Sequence, residues 1–299
     1  MSFVTTFLNL VPITLVQGLI YALVAFGVMI PFRILNIPDL SSEGTFPLGG
    51  CVAAALITAN LHPVLGTLLA GCAGFLAGAV TVVIHLKFRV HSLLAGILTI
   101  TMLWSINLRV MGKPNTPLFG FATIYDWINP AIMTSLAWQM VFFGALLAVL
   151  IAAFWWGLQT DVGLGLRGIG ANNQLAPALG INAFGYTIVG LGLANAINAT
   201  AGALLAQLQG YADVGMGVGM LVNGLASVII GEALTGRRHL IAQLLAPIVG
   251  AAVYYQLSSL ALSLGLAPSD LKLVTGLFVL VTIGWPILIG KRSRAVLAS

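Results

Sequence analysis

The chain has 299 residues, of which 60% are hydrophobic and only 6% are charged, and its mean hydropathy is +1.07. A soluble domain carries about 25% charged residues, so this composition excludes a water-soluble globule and indicates a protein whose solvent is lipid. The net charge of +5 lies in loops that lack the aromatic-interleaved basic runs of nucleic-acid-binding proteins. We therefore expect these basic loops to set the orientation of the protein in the membrane, and we expect no nucleic acid partner.

Apolar segments separated by polar residues, proline or glycine follow one another along the whole chain. The short alternating strands of a membrane β-barrel are absent. Since a spanning helix needs about 20 apolar residues, the sequence predicts an all-α, polytopic membrane protein with about nine (eight to ten) transmembrane helices. The segments are 7–30, 46–60, 63–84, 92–110, 137–157, 182–206, 220–235, 240–262 and 272–290.

The first segment lacks the basic stretch that opens a signal peptide, because the first positively charged residue is Arg33. We therefore expect the first helix to remain in the mature protein. Cys51 and Cys72 both lie in apolar segments, which predicts small buried hydrophobic side chains and no disulfide.

Lysine and arginine are distributed unevenly between the two sides of this nine-helix scheme. With the C-terminal KRSR (291–294) placed inside, only Arg109, Lys113 and Lys272 fall on the opposite side. Cytoplasmic loops carry the excess of basic residues, so the count predicts a cytoplasmic C-terminus and an exported N-terminus. The residues on the cytoplasmic side are Arg33, Lys87, Arg89, Arg167, Arg237, Arg238, Lys291, Arg292 and Arg294.

The second half of the chain weakly repeats the first at a shift of about 174 residues, which places 17–27 over 191–201 and Asp39 over Asp213. Five crossings separate the copies, so they have opposite orientations in the membrane. Inverted repeats of this kind are common in transporters. The predicted organisation is a single transmembrane domain, 1–299, with repeat one at about 7–157, a cytoplasmic segment at about 159–181 and repeat two at about 182–290.

Two polar, glycine-rich stretches, 37–50 and 209–223, lead into short apolar segments at equivalent positions of the repeats. Paired interruptions indicate broken helices beside a substrate path. The alternative is that both are interfacial turns whose acids cap helices. Because a carboxylate at the bilayer centre costs about 3 kcal/mol, we expect Asp39 and Glu43 near the cytoplasmic interface. The candidate path residues are Asp39, Glu43, Gly44, Asp213, Gly215, Gly217, Gly219 and Asn223.

No motif in the sequence supports enzyme chemistry. GLGLRG (163–168) matches a nucleotide-binding pattern, but it lacks the preceding strand and the following acid that such a site needs. No Walker-type phosphate loop occurs, so the chain should not hydrolyse ATP itself. His85 and His91 have no acid nearby. We therefore expect no enzymatic activity, no cofactor and no metal.

The longest polar stretch inside the chain, 159–182, joins the two repeats on the predicted cytoplasmic side. Its alanine and leucine content predicts a short amphipathic helix at 171–179 that ends at Gly180. Loops of this length are commonly functional, so the helix is either a docking element for a partner or a plain connector.

Three stretches of the chain, 17–50, 164–182 and 219–232, resemble the permeases of ATP-binding-cassette importers. The likeness is to the ribose and branched-chain amino acid permease group. Within it, the chain is similar to the subgroup that works with a periplasmic-type binding protein and is linked to tryptophan or other aromatic substrates. QLAPALG (174–180) is similar to the EAA-x-x-x-G coupling motif of these permeases, with Gln174 in place of Glu and Leu175 in place of Ala.

The resemblance implies a homodimeric pore in the bacterial plasma (inner) membrane, two copies of a separate ATPase subunit, and an extracytoplasmic solute-binding protein. The alternative is a self-sufficient secondary transporter or channel, a class that keeps ionisable residues within its helices. Most acids here fall near predicted helix ends, which disfavours that class and predicts a neutral, zwitterionic or partly apolar solute. The residues implied in ATPase coupling are Arg167, Gln174, Leu175, Ala176, Leu179 and Gly180.

Overall fold

The computed structural model describes residues 3–172, 176, 178, 180–236 and 239–267, together with 270, 273, 274, 276, 277, 280 and 281. The helices are α1 (Phe3–Met29), α2 (Ser42–Thr58), α3 (Pro63–Val82), α4 (Ser92–Met111), α5 (Ile124–Ile128), α6 (Ala131–Thr134), α7 (Leu136–Gly157), α8 (Asp161–Ala171), α9 (Ala183–Gln209), α10 (Met220–Thr235) and α11 (Leu240–Ser263). Two short strands, β1 (Asn115–Pro117) and β2 (Tyr211–Asp213), form an antiparallel pair.

Seven helices in the described part of the chain are long and apolar enough to cross a membrane. They are α1, α3, α4, α7, α9, α10 and α11, three of them extended by an adjoining turn. The prediction of an all-α polytopic membrane protein is therefore confirmed, and the count of nine is approximate. α2 has only 17 residues, and most of the last predicted segment, 272–290, lies outside the described residues.

The two halves of the chain exchange packing partners. α2 and α3 pack on α9, while α10 and α11 pack on α1. Small residues allow these close approaches: Gly74 and Gly78 of α3 lie against the α9 backbone, and Gly18 of α1 lies against Ala251 of α11. This reciprocal arrangement is what two related halves produce, and it supports the inverted repeat. The bounds of the repeats remain a prediction.

The first helices of the two halves, α1 and α9, run in opposite directions. Phe26 of α1 shares a hydrophobic cluster with Ala194 of α9, whereas Ile20 shares one with Leu204. Residue numbers therefore increase along α1 in the direction in which they decrease along α9. An antiparallel pair of leading helices places the two halves upside down to each other.

Apolar clusters mark the two ends of the helix bundle. One end contains Leu35, Val82 and Leu166, beside Lys87 of the turn after α3 and Arg167 of α8. We call it the cytoplasmic end, after the excess of basic residues. The other end, which we call the exported end, contains Ile57, Met111, Leu118, Ala212 and Val214 and the β1–β2 pair.

The helix predicted at 171–179 lies mostly outside the described residues; before it, α8 occupies Asp161–Ala171 and Asn172 is extended (φ −158°, ψ 99°). Thr160 starts α8 by accepting a hydrogen bond from the Gly163 N–H, and Asp161 interacts favourably with the positive end of the helix dipole. Part of the predicted loop 159–182 is therefore helical, and the glycines of α8 permit close packing there. Gly180 has a φ of +80°, and the Ile181 N–H bonds to the Ala176 carbonyl around it, as in a glycine-terminated turn.

Both cysteines are free, as predicted, but only Cys51 is buried. Cys72 is exposed on the protein surface of α3, so the prediction that it is buried is wrong. Its apolar segment faces outward on that side, and apolar residues can face outward in a protein that lies in lipid.

Single cysteines introduced at Asn115 and Asp270 are expected to react with an impermeant thiol reagent from outside intact cells. A cysteine at Asn172, which is exposed beyond the end of α8, should react only after the membrane is opened. The same result is expected at Arg292, outside the described residues. The measurement is the labelled fraction in a background without the two native cysteines, and labelling of position 172 in intact cells would contradict the orientation.

Candidate translocation site

The chain between α1 and α2 leaves the helical path and turns back into the bundle. After a π-turn at Ile30–Ile34, residues 35–41 are not helical. The segment starts in the cytoplasmic-end cluster at Leu35, and Asp39 reaches Asn195 of α9. Asn195 lies about 18 Å along the helix axis from Ala183, near the middle of α9. Asp39 is therefore buried in protein beside the middle of α9, and not in an exposed turn at the end of the bundle.

Three hydrogen bonds allow Asp39 to lie at this depth. Its Oδ1 accepts from the Ser41 N–H at 2.8 Å, and its Oδ2 accepts from the Ser41 hydroxyl at 2.8 Å and from Asn195 Nδ2 at 2.9 Å. Asp39 is 1% exposed. Non-helical backbone and buried charge are tolerated in a membrane protein only where protein supplies such partners. Asp39 therefore anchors the segment in front of α2.

The start of α2 is tied to the middle of α9 by further polar contacts. Thr45 donates to Asn195 Oδ1 at 2.7 Å, and Asn198 Nδ2 donates to the Ser42 hydroxyl at 2.9 Å. These contacts place Glu43, which is half-buried, at the same depth as Asp39. Glu43 therefore also lies inside the bundle beside α9, and its depth relative to the interface stays a prediction.

The segment between α9 and α10 enters the bundle from the exported end. β2 pairs with β1 so that Asp213 faces Asn115, and Asp213 accepts hydrogen bonds from Asn115 Nδ2 (3.2 Å) and from the Gly215 N–H (2.7 Å). A 3₁₀ turn follows at Val214–Gly217. Gly219 then starts α10 with a φ of +84°, a conformation that favours glycine.

The start of α2 and the 3₁₀ turn before α10 meet inside the helix bundle. Gly217 lies so close to α2 that a Cβ there would overlap the Glu43 carbonyl oxygen and lie 2.7 Å from Cδ of Pro47. Met216 covers Gly50 in the same way. The repeat shift of about 174 residues places Glu43 over Gly217, so the meeting point joins equivalent positions of the two halves.

A small cavity of about 40 Å³ lies beside this meeting point, between α2, α4 and the 3₁₀ turn. That volume holds a water molecule or two, so the bundle is closed here to an amino acid. Trp104 and Val218 are exposed at its edge (47% and 64%), so the cavity adjoins an outer face of the bundle. Its lining includes Glu43, Pro47, Trp104, Asn107, Val214 and Val218.

Sequence reasoning missed Trp104 and Asn107. Asn107 lies on the buried face of α4, one turn after Leu103. A polar residue on the buried stripe of a spanning helix was the available signal. Of the other candidates, Gly44 lines the same cavity and contacts Leu103, whereas Asn223 accepts a hydrogen bond from Tyr254 of α11.

The coupling residues are only partly described. Gln174, Leu175 and Leu179 lie outside the described residues. Arg167 and Gly180 are exposed, and Ala176 is buried.

α8 rests on the start of the non-helical segment that precedes α2. Gly170 lies against the Ile34 carbonyl, and Leu166 shares a cluster with Leu35. At the same end, Arg33 pairs with Glu232 of α10 at 2.6 Å, and this side chain of Glu232 is only 6% exposed. α8 is thus in direct contact with the base of the segment that carries Asp39.

The fold and this site define a polytopic membrane permease. Residues 11–284 match the family described as "Branched-chain amino acid transport system / permease component", and the chain belongs to that family. It is 40% identical over 264 residues to the "Tyrosine transport system permease protein" of Clostridioides difficile (strain R20291), covering 88% of this chain and 87% of the relative. It is 30% identical over 286 residues to "Uncharacterized protein RP368" of Rickettsia prowazekii (strain Madrid E), covering 92% and 97%. No solved structure gives a significant match.

Proposed function

We propose that the chain is the membrane-spanning subunit of an ATP-binding-cassette importer that moves an aromatic amino acid into the cell. A solute-binding protein delivers the substrate from outside, and a separate ATPase subunit supplies the energy. The permease family and the tyrosine permease relative support this assignment. The observation that carries it is the contact inside the bundle between the first turn of α2, at Glu43, and the 3₁₀ turn, at Gly217, each reached by a stretch of chain that enters from a different end.

The meeting point is suited to alternating access. A path that opens to one side at a time needs a closed point between two elements that can move independently. Here the closed point joins the start of α2, which follows the non-helical residues 35–41, to the 3₁₀ turn at Val214–Gly217, which α10 follows. Non-helical backbone at this depth is tolerated because it lies in protein or beside a water-filled path.

The outer face of the bundle beside the small cavity is proposed to line the path between two copies of the chain. Glu43 lies near a face whose edge carries exposed Trp104 and Val218, and Val222 is exposed nearby (60%). A carboxylate that faces lipid at the bilayer centre costs about 3 kcal/mol. A water-filled path bounded by a second copy removes that cost, so we propose a homodimer with this face inward.

Coupling to the ATPase is proposed to run through α8. A partner that binds residues 172–180 at the cytoplasmic end would push on α8, and α8 contacts Ile34 and Leu35 directly. These residues lead into the segment that Asp39 anchors to α9. Rigid-body movement of α8 would therefore shift the segment beside Glu43.

A secondary transporter is the second candidate, because a carboxylate at mid-membrane depth can couple substrate movement to protons or sodium. The two functions differ in their energy source. Proteoliposomes that contain the permease, its ATPase and its binding protein should accumulate radiolabelled tyrosine only with hydrolysable ATP on the ATPase side. Accumulation driven by an ion gradient without the ATPase would support the secondary transporter instead.

Leu179→Asp is expected to abolish this uptake while the permease remains folded in the membrane, because a charge on the proposed docking surface disrupts an apolar contact. Leu266→Asp, on the exported loop after α11, is the matched control and should retain uptake. The measurements are initial uptake rate and the amount of ATPase that copurifies. Normal uptake by Leu179→Asp would contradict docking of the ATPase at Leu179 and would make residues 232–239 the next candidate for the docking surface.

A further inference from the structure

We infer that Glu43, Asn107 and Trp104 form the site that recognises the amino group of the transported solute. The Glu43 carboxylate and the Asn107 carbonyl oxygen accept hydrogen bonds from the ammonium group, and the Trp104 indole contacts the cation and the aromatic ring beside it. This inference rests on the proposed function and adds to it the chemical group that is read inside the membrane.

Glu43 is a charged group without a partner. In the described part of the chain its carboxylate forms no hydrogen bond or ion pair, although it lies at the depth where Ser42 contacts Asn198. Asp39, at the same level, has three donors. Ionisable residues inside a membrane are costly and mark substrate or ion pathways. A cationic ligand would supply the partner that Glu43 lacks.

Asn107 provides a second, independent observation. It is 1% exposed, and among the described residues its Oδ1 has no hydrogen-bond partner, while its Nδ2 makes only a long contact of 3.4 Å to the Gly44 carbonyl. A buried acceptor without a partner is destabilising, so it marks a place where a donor can bind. Asn107 and Glu43 line the same cavity, so the unpaired oxygen and the unpaired carboxylate belong to one site.

The chemistry of the two groups selects the ligand. A carboxylate and an amide oxygen are acceptors, and an ammonium group is a pure donor with three N–H bonds. A carboxylate ligand would be repelled by Glu43 and would leave the Asn107 oxygen unpaired. The site therefore fits the amino end of an amino acid or an amine.

Trp104 completes the site. It lies one turn before Asn107 on α4 and lines the same cavity. Tryptophan has the strongest face for a cation–π contact and stacks well on another aromatic ring. The cavity of about 40 Å³ is too small for the whole solute, so the site opens when the segment at Val214–Gly217 moves away from α2.

A structural role for Glu43 makes a different prediction. As an acid in the first turn of α2 it would stabilise the helix modestly through the dipole. Glu43→Gln would then lower stability slightly and leave ligand recognition unchanged. A role in recognition changes which ligands bind.

The test uses a cysteine at Val218, at the cavity edge, in full-length permease assembled with its ATPase and without native cysteines. Its reaction rate with a methanethiosulfonate reagent is measured with tyrosine, tyramine or 3-(4-hydroxyphenyl)propionate present. Tyrosine and tyramine should slow the reaction, and the propionate, which lacks the amino group, should not. Glu43→Gln should raise the concentration of tyramine needed for protection at least about tenfold. Glu43→Asp, which keeps the carboxylate, should require a smaller increase. Asn107→Leu should weaken protection several-fold.

Asp270→Asn, an acid-to-amide change on the exported loop, is the matched control and should leave protection unchanged. Equal protection by the propionate, unchanged protection in Glu43→Gln, or no protection of the parent protein by tyrosine would each overturn the inference. Failure of ATP-driven tyrosine uptake by the parent complex would instead overturn the proposed function, so the two can be told apart.

Discussion

Gly217→Ala is expected to lower ATP-driven tyrosine uptake at least about tenfold, with the protein still assembled in the membrane. The added Cβ overlaps the Glu43 carbonyl and the Pro47 ring, so the two non-helical segments must separate. Overpacking costs about 1–3 kcal/mol, which is a fraction of the stability of a folded protein. The substitution should therefore disrupt the contact that closes the path while the helix bundle stays folded. Uptake and the yield of monodisperse protein are measured on the same preparation.

Gly215→Ala is the matched control for this substitution. Gly215 lies in the same 3₁₀ turn, but a Cβ there meets only Asp213 Oδ1, at 3.1 Å, and that side chain can move. Uptake by Gly215→Ala should be close to that of the parent protein. If Gly217→Ala transports normally, or if it fails to assemble while Gly215→Ala does not, the contact at Glu43 is structural packing and not part of the path.

Asn195→Leu is expected to destabilise the protein by about 3 kcal/mol, because it removes the amide that satisfies a buried charge. Asp39 Oδ2 loses one of its two donors, and the Thr45 hydroxyl loses the nearer of its two acceptors. Asn195 is fully buried, so water cannot replace these bonds. Thermal unfolding of the purified protein in detergent measures the effect, and the midpoint should fall clearly below that of the parent.

Asn115→Leu is the control for the loss of an asparagine. Asn115 donates one bond to Asp213 at the exposed exported end, so its replacement should cost less than about 1 kcal/mol. Adding Asp39→Asn to Asn195→Leu should recover part of the lost stability, because the buried charge is gone. Equal effects of the two leucine substitutions would contradict the role of Asn195 as an anchor for Asp39.

The membrane class and the positions of the spanning helices followed from the sequence alone. Hydrophobic length is a local property: the predicted segment 63–84 became α3 (Pro63–Val82), and 240–262 became α11 (Leu240–Ser263). A helix satisfies its own backbone hydrogen bonds, so lipid selects it from composition without knowledge of its neighbours. Even the interruption at 37–50 was visible, because serine, acid and glycine break an apolar run.

The depth of that interruption was decided only by the tertiary structure. Hydropathy placed Asp39 at the interface, since an unpaired carboxylate is costly in lipid, but Asn195 supplies a donor from 156 residues away. Likewise, the polar stretch 159–182 was predicted to be a loop before residue 171, and the close contacts of Gly165 with Tyr186 and of Gly170 with Ile34, which α8 makes as a helix, appear only in the folded chain. The meeting of Glu43 with Gly217 depends on how the two halves pack. Local composition determines the free energy that a segment would require to enter lipid alone. Hydrogen bonds from side chains distant in the sequence determine whether that free energy is offset.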